Sequence, residues 1–216
     1  MKVHAIGDSH VRLLRQLTDA DRVHWLGPMT MHRVARDGVA GLRAAREWLH
    51  PGGALSTRDW MATILPGALV VWVCGEIDVR CHLAPRCLDA GGWMGTPMVQ
   101  DFMRVVDAFA ACTGTTQAVL SLTPAMDTRN PEFPCRGPLD LRRSITCSMN
   151  RDLQAACASR GMYYLDLFAA VSDRLLGMRP DMAADAVHLG RGAAGALAPL
   201  LNAALLDTAI GGFDVA

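Results

Sequence analysis

Gly7-Asp8-Ser9-His10, directly after the apolar residues 3–6, is the stretch that most constrains the fold. The apolar run predicts a short first strand and residues 10–18 a helix, so Ser9 stands where strand turns sharply into helix. A glycine before the serine permits that tight turn. The amide N–H groups that open a helix lack intrahelical partners and favour negative charge. Ser9 is therefore a candidate acyl-transfer nucleophile that still needs a base and a group to orient that base.

The far end of the chain contains both groups, in Asp185-Ala186-Val187-His188. An aspartate three residues before a histidine, between Pro180 and Gly190, fits on one loop with its carboxylate beside the imidazole. Such a carboxylate fixes the tautomer of the base and stabilises the imidazolium formed when the serine loses its proton. The alternative is that Asp185 caps the final helix and His188 is a surface histidine. Taken with Ser9, the pattern favours catalysis.

The composition is that of one globular domain spanning residues 1–216. Lys+Arg and Asp+Glu both number 21, so a formal net charge of zero gives no support for nucleic-acid or anionic-membrane binding. We see no signal-peptide pattern and no apolar run of membrane-spanning length. The seven cysteines are an odd number scattered through all kinds of predicted element. They favour reduced thiols in a cytoplasmic protein.

Five strand-then-helix units follow one another along the chain. The expected strands are 2–7, 22–26, 68–74, 117–122 and 162–167, and the expected helices are 10–18, 39–49, 98–112, 139–160 and 192–208. This alternation predicts an α/β fold with an open, doubly wound parallel sheet, in which ligands bind beyond the carboxyl ends of the strands. Ser9, Gly75 and Thr123 would then border one crevice. The Pro- and Gly-rich segments 76–97 and 123–138 are expected to form loops over it.

Three motifs in this order resemble the blocks of the SGNH (GDSL-type) hydrolases: Gly7-Asp8-Ser9, Gly75-Glu76-Ile77-Asp78 and Asp185-Ala186-Val187-His188. The resemblance covers residues 3 to about 200. It implies a flavodoxin-like three-layer sandwich with a five-stranded parallel sheet, and an esterase, lipase, thioesterase or carbohydrate deacetylase activity. It also implies that Ser9 is the nucleophile, His188 the base and Asp185 its orienting partner.

The middle motif departs from the family pattern Gly-x-Asn-Asp, whose asparagine donates to the oxyanion, because Ile77 stands at that position. The resulting Gly-Glu-Ile-Asp-x-Arg pattern resembles a divergent bacterial branch of SGNH-like proteins. Loss of one oxyanion donor costs about 100- to 1000-fold in rate. If the segment is extended, one of its sides presents four candidate substrate-binding residues: Glu76, Asp78, Arg80 and His82. The guanidinium of Arg80, with its fork of N–H donors, could replace the missing asparagine donor. The alternative is a salt-bridge ladder that only holds the loop.

A further oxyanion donor is expected from a glycine after the second strand, where Gly27 and Gly38 both qualify. Gly27 precedes a proline and looks like a tight turn, whereas Gly38 better suits an exposed amide before a helix. The predicted oxyanion donors are therefore the amides of Ser9, Gly38 and Gly75. Other polar residues expected to contact substrate are Asp8, His10 and His32.

The function predicted from these motifs is hydrolysis of an ester, thioester or O-acyl bond of a small molecule through a Ser9 acyl-enzyme, without a cofactor. No Cys or His cluster has zinc-ligand spacing, so no metal is predicted. The alternative is a non-catalytic relative that binds a small polar or anionic ligand, with Ile77 marking a lost oxyanion hole. The apolar segment 193–206, in which Pro199 should kink or restart the helix, is compatible with a homodimer.

Overall fold

The computed structural model describes residues 1–50, 54–127, 133–185 and 187–211, with a central sheet of five parallel strands. The strand order is β2-β1-β3-β4-β5, with β1 (Val3–Gly7), β2 (Val23–Trp25), β3 (Leu69–Val73), β4 (Thr116–Leu120) and β5 (Tyr163–Leu165). Each strand falls within or overlaps its predicted range, so the predicted α/β fold and five-stranded parallel sheet are confirmed. The order is flavodoxin-like, and its topological switch point lies between β1 and β3.

Helices connect the strands. Within the described residues the α-helices are α1 (Met31–Ala44), α2 (Ala84–Ala90), α3 (Gly95–Thr113), α4 (Leu139–Ala158), α5 (Phe168–Val171) and α6 (Arg191–Gly211). The helices predicted over 98–112, 139–160 and 192–208 are confirmed, and the one predicted over 10–18 is the 3₁₀-helix Ser9–Gln16. α6 continues through Pro199 and does not restart there.

Apolar side chains cover both faces of the sheet, as expected for parallel strands that are buried throughout. On one face, Trp72 of β3 meets Phe102 and Phe109 of α3 edge-on, in a core that α1 and α4 also share. On the other face, Val71 of β3 belongs to a second core with the 3₁₀-helix and α6. Helices, sheet and helices therefore form the three layers predicted from the sequence.

The helix predicted over 39–49 is wrong at both ends. Thr30 caps α1, because its hydroxyl accepts a hydrogen bond of 3.0 Å from the amide of Arg33, and the helix ends at Ala44. Gly38 interrupts α1 with φ 62 and ψ −166, a conformation that glycine adopts without the steric cost of a Cβ. Gly38, which suggested the start of a helix, instead kinks a helix that begins at Met31.

The segment 76–97 is largely helical, which corrects the prediction that it forms a loop. A π-helical turn spans Asp78–Leu83 and runs directly into α2. Pro85 lies in the first turn of α2, and Gly91 ends the helix with φ 62. In the second predicted loop, residues 123–127 and 133–138 form neither helix nor strand, whereas 128–132 lie outside the described residues.

Three further predictions concern the cysteines, metal sites and membrane-spanning segments. All seven cysteines are free thiols, and burial raises the pKa of Cys157 to about 12. In the part of the chain that the structure describes, no group of three or more His, Cys, Asp or Glu side chains is placed to hold a metal ion. Across the same residues, no helix has the length and apolar character needed to cross a membrane.

Candidate active site

Ser9, His188 and Asp185 form a continuous chain of hydrogen bonds beyond the carboxyl end of β1. Ser9 Oγ lies 2.8 Å from His188 Nε2, and His188 Nδ1 lies 2.8 Å from Asp185 Oδ2. With the imidazole neutral, Nδ1–H donates to the carboxylate and Nε2 accepts from the serine hydroxyl. These are the contacts that a base needs in order to take the proton of a serine nucleophile. The structure thus brings together three residues predicted from opposite ends of the chain.

The Asp185 carboxylate is held by its own loop. Its Oδ1 accepts hydrogen bonds from the amides of Val187 at 2.8 Å and His188 at 2.7 Å, which leaves Oδ2 for the imidazole. Burial has the largest influence and raises the pKa of Asp185, but these backbone donors and the His188 ring together outweigh it and lower the pKa. The carboxylate therefore stays ionised and keeps the ring oriented. Ala186 of this motif lies outside the described residues.

Asp8 and His10 form a buried pair on either side of Ser9 in the sequence. Their exposed fractions are 1% and 4%, and Asp8 Oδ1 lies 3.0 Å from His10 Nδ1. The same oxygen accepts from the His10 amide at 2.9 Å, so Asp8 also caps the 3₁₀-helix that Ser9 begins. Burial has the largest influence and lowers the pKa of His10, but the Asp8 charge and hydrogen bond, helped by Glu76 and Val187, raise it to about 9. His10 is therefore a buried imidazolium at neutral pH.

The other ring nitrogen of His10 contacts the loop that carries His188. Nε2 lies 3.0 Å from the carbonyl oxygen of Val187, which can only accept, so this nitrogen is protonated. The rings of His10 and His188 are 5.2 Å apart between centroids. His10 thus joins the turn that positions Ser9 to the loop that positions His188 and Asp185.

A cleft of about 550 Å³ opens at the triad, and we call it the aromatic cleft. Trp25 and Trp48 pack together in its wall with centroids 5.6 Å apart, and Phe133 packs edge-on against His188 at 5.4 Å. Besides these aromatic residues and the triad, its lining includes Arg12, Gly27, Pro28, Ile77 and Arg80. Aromatic walls combined with polar groups at the triad suit a small organic substrate.

Two backbone amides of residues that line the aromatic cleft are candidates for the oxyanion hole. Ser9 opens the 3₁₀-helix, so its N–H has no intrahelical acceptor. Gly27 lines the aromatic cleft with φ 77, and its N–H makes no hydrogen bond with another described residue. A Cβ at Gly27 would lie 2.5 Å from Trp48 Nε1, so this close approach requires glycine. Gly38 lines other cavities. Gly27, and not the predicted Gly38, is therefore the glycine that lines the aromatic cleft together with Ser9.

Comparison with solved structures defines the fold family. A GDSL-like lipase from Bacteroides thetaiotaomicron superposes with a TM-score of 0.61 at 14% identity, covering 95% of this chain and 88% of that one. The chain has the fold of the SGNH hydrolases. The acetylxylan esterase Axe2 from Geobacillus stearothermophilus (TM-score 0.55, 13% identity, 94% and 93% covered) and the OSK domain of Drosophila Oskar (0.55, 10%, 93% and 86%) share it. No protein-family model and no curated protein sequence matches the chain.

Within this SGNH fold, most side chains predicted to contact substrate lie away from the cleft lining. Asp8 is committed to its buried pair with His10, and the exposed His32 and His82 lie elsewhere on the surface. Asp78 is fully buried and accepts a 2.7 Å hydrogen bond from the Met31 amide, which ties the π-helical turn after β3 to the start of α1. Burial is the main cause that raises the pKa of Asp78 to about 7.

Gly75, predicted as an oxyanion donor, also lies outside the lining of the aromatic cleft. It is buried with φ 114, and a Cβ there would lie 2.7 Å from Met31 Cε. Its glycine is required by backbone conformation and packing at the end of β3. The corrected prediction is that Gly75 shapes the turn after the strand.

Arg80 lines the aromatic cleft, but its guanidinium already has partners. Nε donates to Glu76 Oε1 at 2.6 Å, and Nη1 donates to the Pro134 carbonyl at 3.0 Å. The helical backbone puts Glu76 one turn before Arg80, which is why they meet. The salt-bridge alternative is therefore supported for Glu76 and not for Asp78. Through Pro134, Arg80 holds the segment that carries Phe133.

Sequence reasoning missed four residues that shape the site. Arg12 follows Ser9 by three positions, Trp25 ends β2, and Trp48 and Phe133 come from loops. Trp25 carried a usable signal, because the end of a predicted strand is where such sheets bind ligands. Arg12 carried one as well, since a spacing of three puts two side chains on one face of a helix. Trp48 and Phe133 carried none.

Proposed function

We propose that the protein is an SGNH-type serine hydrolase that cleaves an ester, thioester or O-acyl bond of a small molecule through a Ser9 acyl-enzyme. The observation that carries this proposal is the pair of 2.8 Å contacts linking Ser9 Oγ, His188 and Asp185. The fold and the cleft that opens at the serine support it. The proposal includes a cofactor-independent reaction and a cytoplasmic location, as expected from the sequence.

In the first half-reaction, Ser9 Oγ attacks the acyl carbon while His188 Nε2 takes the hydroxyl proton. Asp185 stabilises the imidazolium that results. When the tetrahedral intermediate collapses, the C–O or C–S bond breaks and His188 returns the proton to the leaving alcohol or thiol. In the second half, His188 deprotonates a water that attacks the acyl-enzyme, which releases the carboxylic acid and restores Ser9.

The oxyanion would be held by the amides of Ser9 and Gly27. Ile77 lines the cleft at the position where the SGNH pattern has asparagine, so no side-chain donor comes from that position. Two backbone donors also form the oxyanion hole in the Ser-His-Asp protease template. We therefore expect turnover lower by about 100- to 1000-fold than a site with a third donor would reach.

A non-catalytic ligand-binding protein is the second candidate, and the observation that favours it is Ile77. In that case the same cleft binds a small polar or anionic molecule and the triad turns nothing over. The intact hydrogen-bond chain from Ser9 to Asp185 weighs against it, because a binding protein has no need to orient a base towards a serine.

The test is hydrolysis of p-nitrophenyl esters with acyl chains of two to eight carbons, in the wild type and in Ser9→Ala. Turnover in the wild type that falls at least 1000-fold in Ser9→Ala supports the hydrolase. Equal rates in the two proteins would reject it in favour of the binding candidate. Thermal melting of both proteins shows that the comparison is between folded molecules.

A further inference from the structure

The 3₁₀-helix after β1 lines up the nucleophile with two arginines. Three residues per turn place positions i, i+3 and i+6 in one row, with a rise of about 6 Å per turn. Ser9, Arg12 and Arg15 occupy these positions in the helix Ser9–Gln16. The buried residues of that helix are His10, Val11, Leu13 and Leu14, whereas both arginines are exposed. A cationic row therefore extends along the surface from the proposed reaction centre.

The guanidinium of Arg12 is held in place without being neutralised. It lies over the indole of Trp25, 5.6 Å from the ring centroid, and Trp25 in turn packs on Trp48. Neither Arg12 nor Arg15 forms an ion pair with any residue that the structure describes, in contrast to Arg80 with Glu76. Asp185, the carboxylate that lines the same cleft, is engaged by His188. The positive charge of the row is available to a ligand.

A second cavity adjoins the triad on the side of this row. It has a volume of about 360 Å³ and is lined by Arg12, Arg15 and Gln16 together with Ser9, Asp185 and His188. We call it the arginine cavity. Ser9, Arg12, Asp185 and His188 line both this cavity and the aromatic cleft, so the triad stands at the boundary between the two spaces.

The two spaces can be assigned to the two halves of a substrate. Gly27 lies in the aromatic cleft, so the carbonyl oxygen and the acyl group belong there. His188, which returns the proton to the leaving group, borders both spaces. Because the acyl group occupies the aromatic cleft, the leaving group is assigned to the arginine cavity. Arginine matches carboxylate and phosphate groups with paired N–H donors.

We propose, on the basis of the hydrolase function above, that the leaving alcohol or thiol of the substrate carries a carboxylate or phosphate that Arg12 binds, with Arg15 adding to it. The backbone positions of Ser9 and Arg12 are about 6 Å apart along the helix, one turn along the row. The anion is a recognition group only. The ester or thioester bond is broken as described above, and the anionic alcohol or thiol is released unchanged in charge.

The kinetic test compares three thioesters that share the acetyl group: S-acetyl-2-mercaptoethanol, S-acetyl-3-mercaptopropionate and S-acetyl-2-mercaptoethyl phosphate. Thiol release is measured at low ionic strength in the wild type, Arg12→Gln, Arg15→Gln and the remote, exposed control Arg43→Gln. We expect kcat/KM at least tenfold higher for an anionic thioester than for the neutral one. Arg12→Gln should lower kcat/KM for the anionic thioesters at least tenfold more than for the neutral one, whereas Arg43→Gln should leave the anionic-to-neutral ratio unchanged. The two anionic arms distinguish carboxylate from phosphate.

An unchanged anionic-to-neutral ratio in Arg12→Gln would overturn the inference while leaving the hydrolase proposal intact. If no thioester is hydrolysed, Ser9→Ala is titrated by calorimetry with the non-hydrolysable acetonyl thioethers of 3-mercaptopropionate and 2-mercaptoethanol. At least tenfold tighter binding of the anionic thioether, lost on adding Arg12→Gln, supports the inference in that case. Equal affinity for the two thioethers rejects it.

Discussion

His10 Nε2 and the carbonyl oxygen of Val187 lie 3.0 Å apart, although the two residues are 177 positions apart in the chain. The contact joins the turn of the nucleophile to the loop of the base. Because Asp8 engages the other ring nitrogen, His10 is a positioning residue that keeps two separately encoded halves of the site in register. Its consequences can be measured as stability, as pH dependence and as turnover.

Replacing His10 with phenylalanine should destabilise the protein by about 3–5 kcal/mol, because the Asp8 carboxylate would be left buried without its cation. The free energy of unfolding in urea measures this. His82→Phe, at an exposed histidine, is the matched control and should stay within about 0.5 kcal/mol of the wild type. Asp8→Asn combined with His10→Gln should recover part of the loss. A change below about 1 kcal/mol in His10→Phe would show that the pair is not the buried ion pair described.

The same pair predicts a loss of stability at alkaline pH. His10 titrates near 6.5 when unfolded and at about 9 when folded, so its stabilisation is complete below pH 6.5 and is lost as the pH rises through 9. The measurement is the difference in unfolding free energy between the wild type and Asp8→Asn/His10→Gln at pH 6.0, 7.5 and 9.5. The wild type should lose stability relative to the double variant as the pH rises. A difference that is constant or grows in favour of the wild type would contradict the assigned charge.

Gly27 and Gly38 offer a matched test of the oxyanion hole, because both have positive φ but only Gly27 lines the aromatic cleft. Gly27→Ala places a Cβ 2.5 Å from Trp48 Nε1 and should displace its amide, with a fall in kcat of about 100-fold or more. Gly38→Ala has no heavy atom within 4 Å of the new Cβ, so it should cost only about 1 kcal/mol of stability at unchanged kcat. A larger fall in kcat in Gly38→Ala than in Gly27→Ala would reverse the assignment.

The sheet and the three triad residues were predictable because their signals are local. Apolar runs mark the strands. Ser9 lies in a short motif that predicts a tight turn, and His188 ends one that predicts a loop. The carboxyl ends of parallel strands lie at one edge, so order along the chain was enough to place Ser9 at the crevice. Asp185 and His188 were assigned from their separation taken together with Ser9, and from the resemblance to the SGNH blocks.

Other parts of the site depend on backbone geometry that spacing does not reveal. Glu76, Asp78 and Arg80 alternate in a way that fits an extended strand, but the chain is helical there, and this turns Asp78 inward and Arg80 onto Glu76. Arg12 joins Ser9 in one row because the helix is 3₁₀. Phe133 reaches His188 from a loop whose path is set by tertiary contacts with Arg80.

Arg80 is expected to act as a strut, so its effect should depend on Glu76. In a double-mutant cycle with Arg80→Met and Glu76→Gln, we expect a coupling in unfolding free energy of about 1–3 kcal/mol, since both side chains are mostly buried. Arg80→Lys should keep turnover per folded molecule within about threefold, because the guanidinium fork is used on Glu76 and Pro134 rather than on substrate. A tenfold or larger loss of turnover at unchanged stability would instead make Arg80 a substrate-binding residue.

The central claim, that Ser9 is an activated nucleophile, is tested most directly by covalent labelling with a fluorophosphonate probe and identification of the labelled peptide by mass spectrometry. We predict labelling of the folded wild type at Ser9, none in Ser9→Ala, and much slower labelling in His188→Ala, because an unassisted hydroxyl is a poor nucleophile at neutral pH. Heat-denatured protein, which should not react, is the control. Labelling that persists in Ser9→Ala, or a folded wild type that does not react at all, would contradict the account.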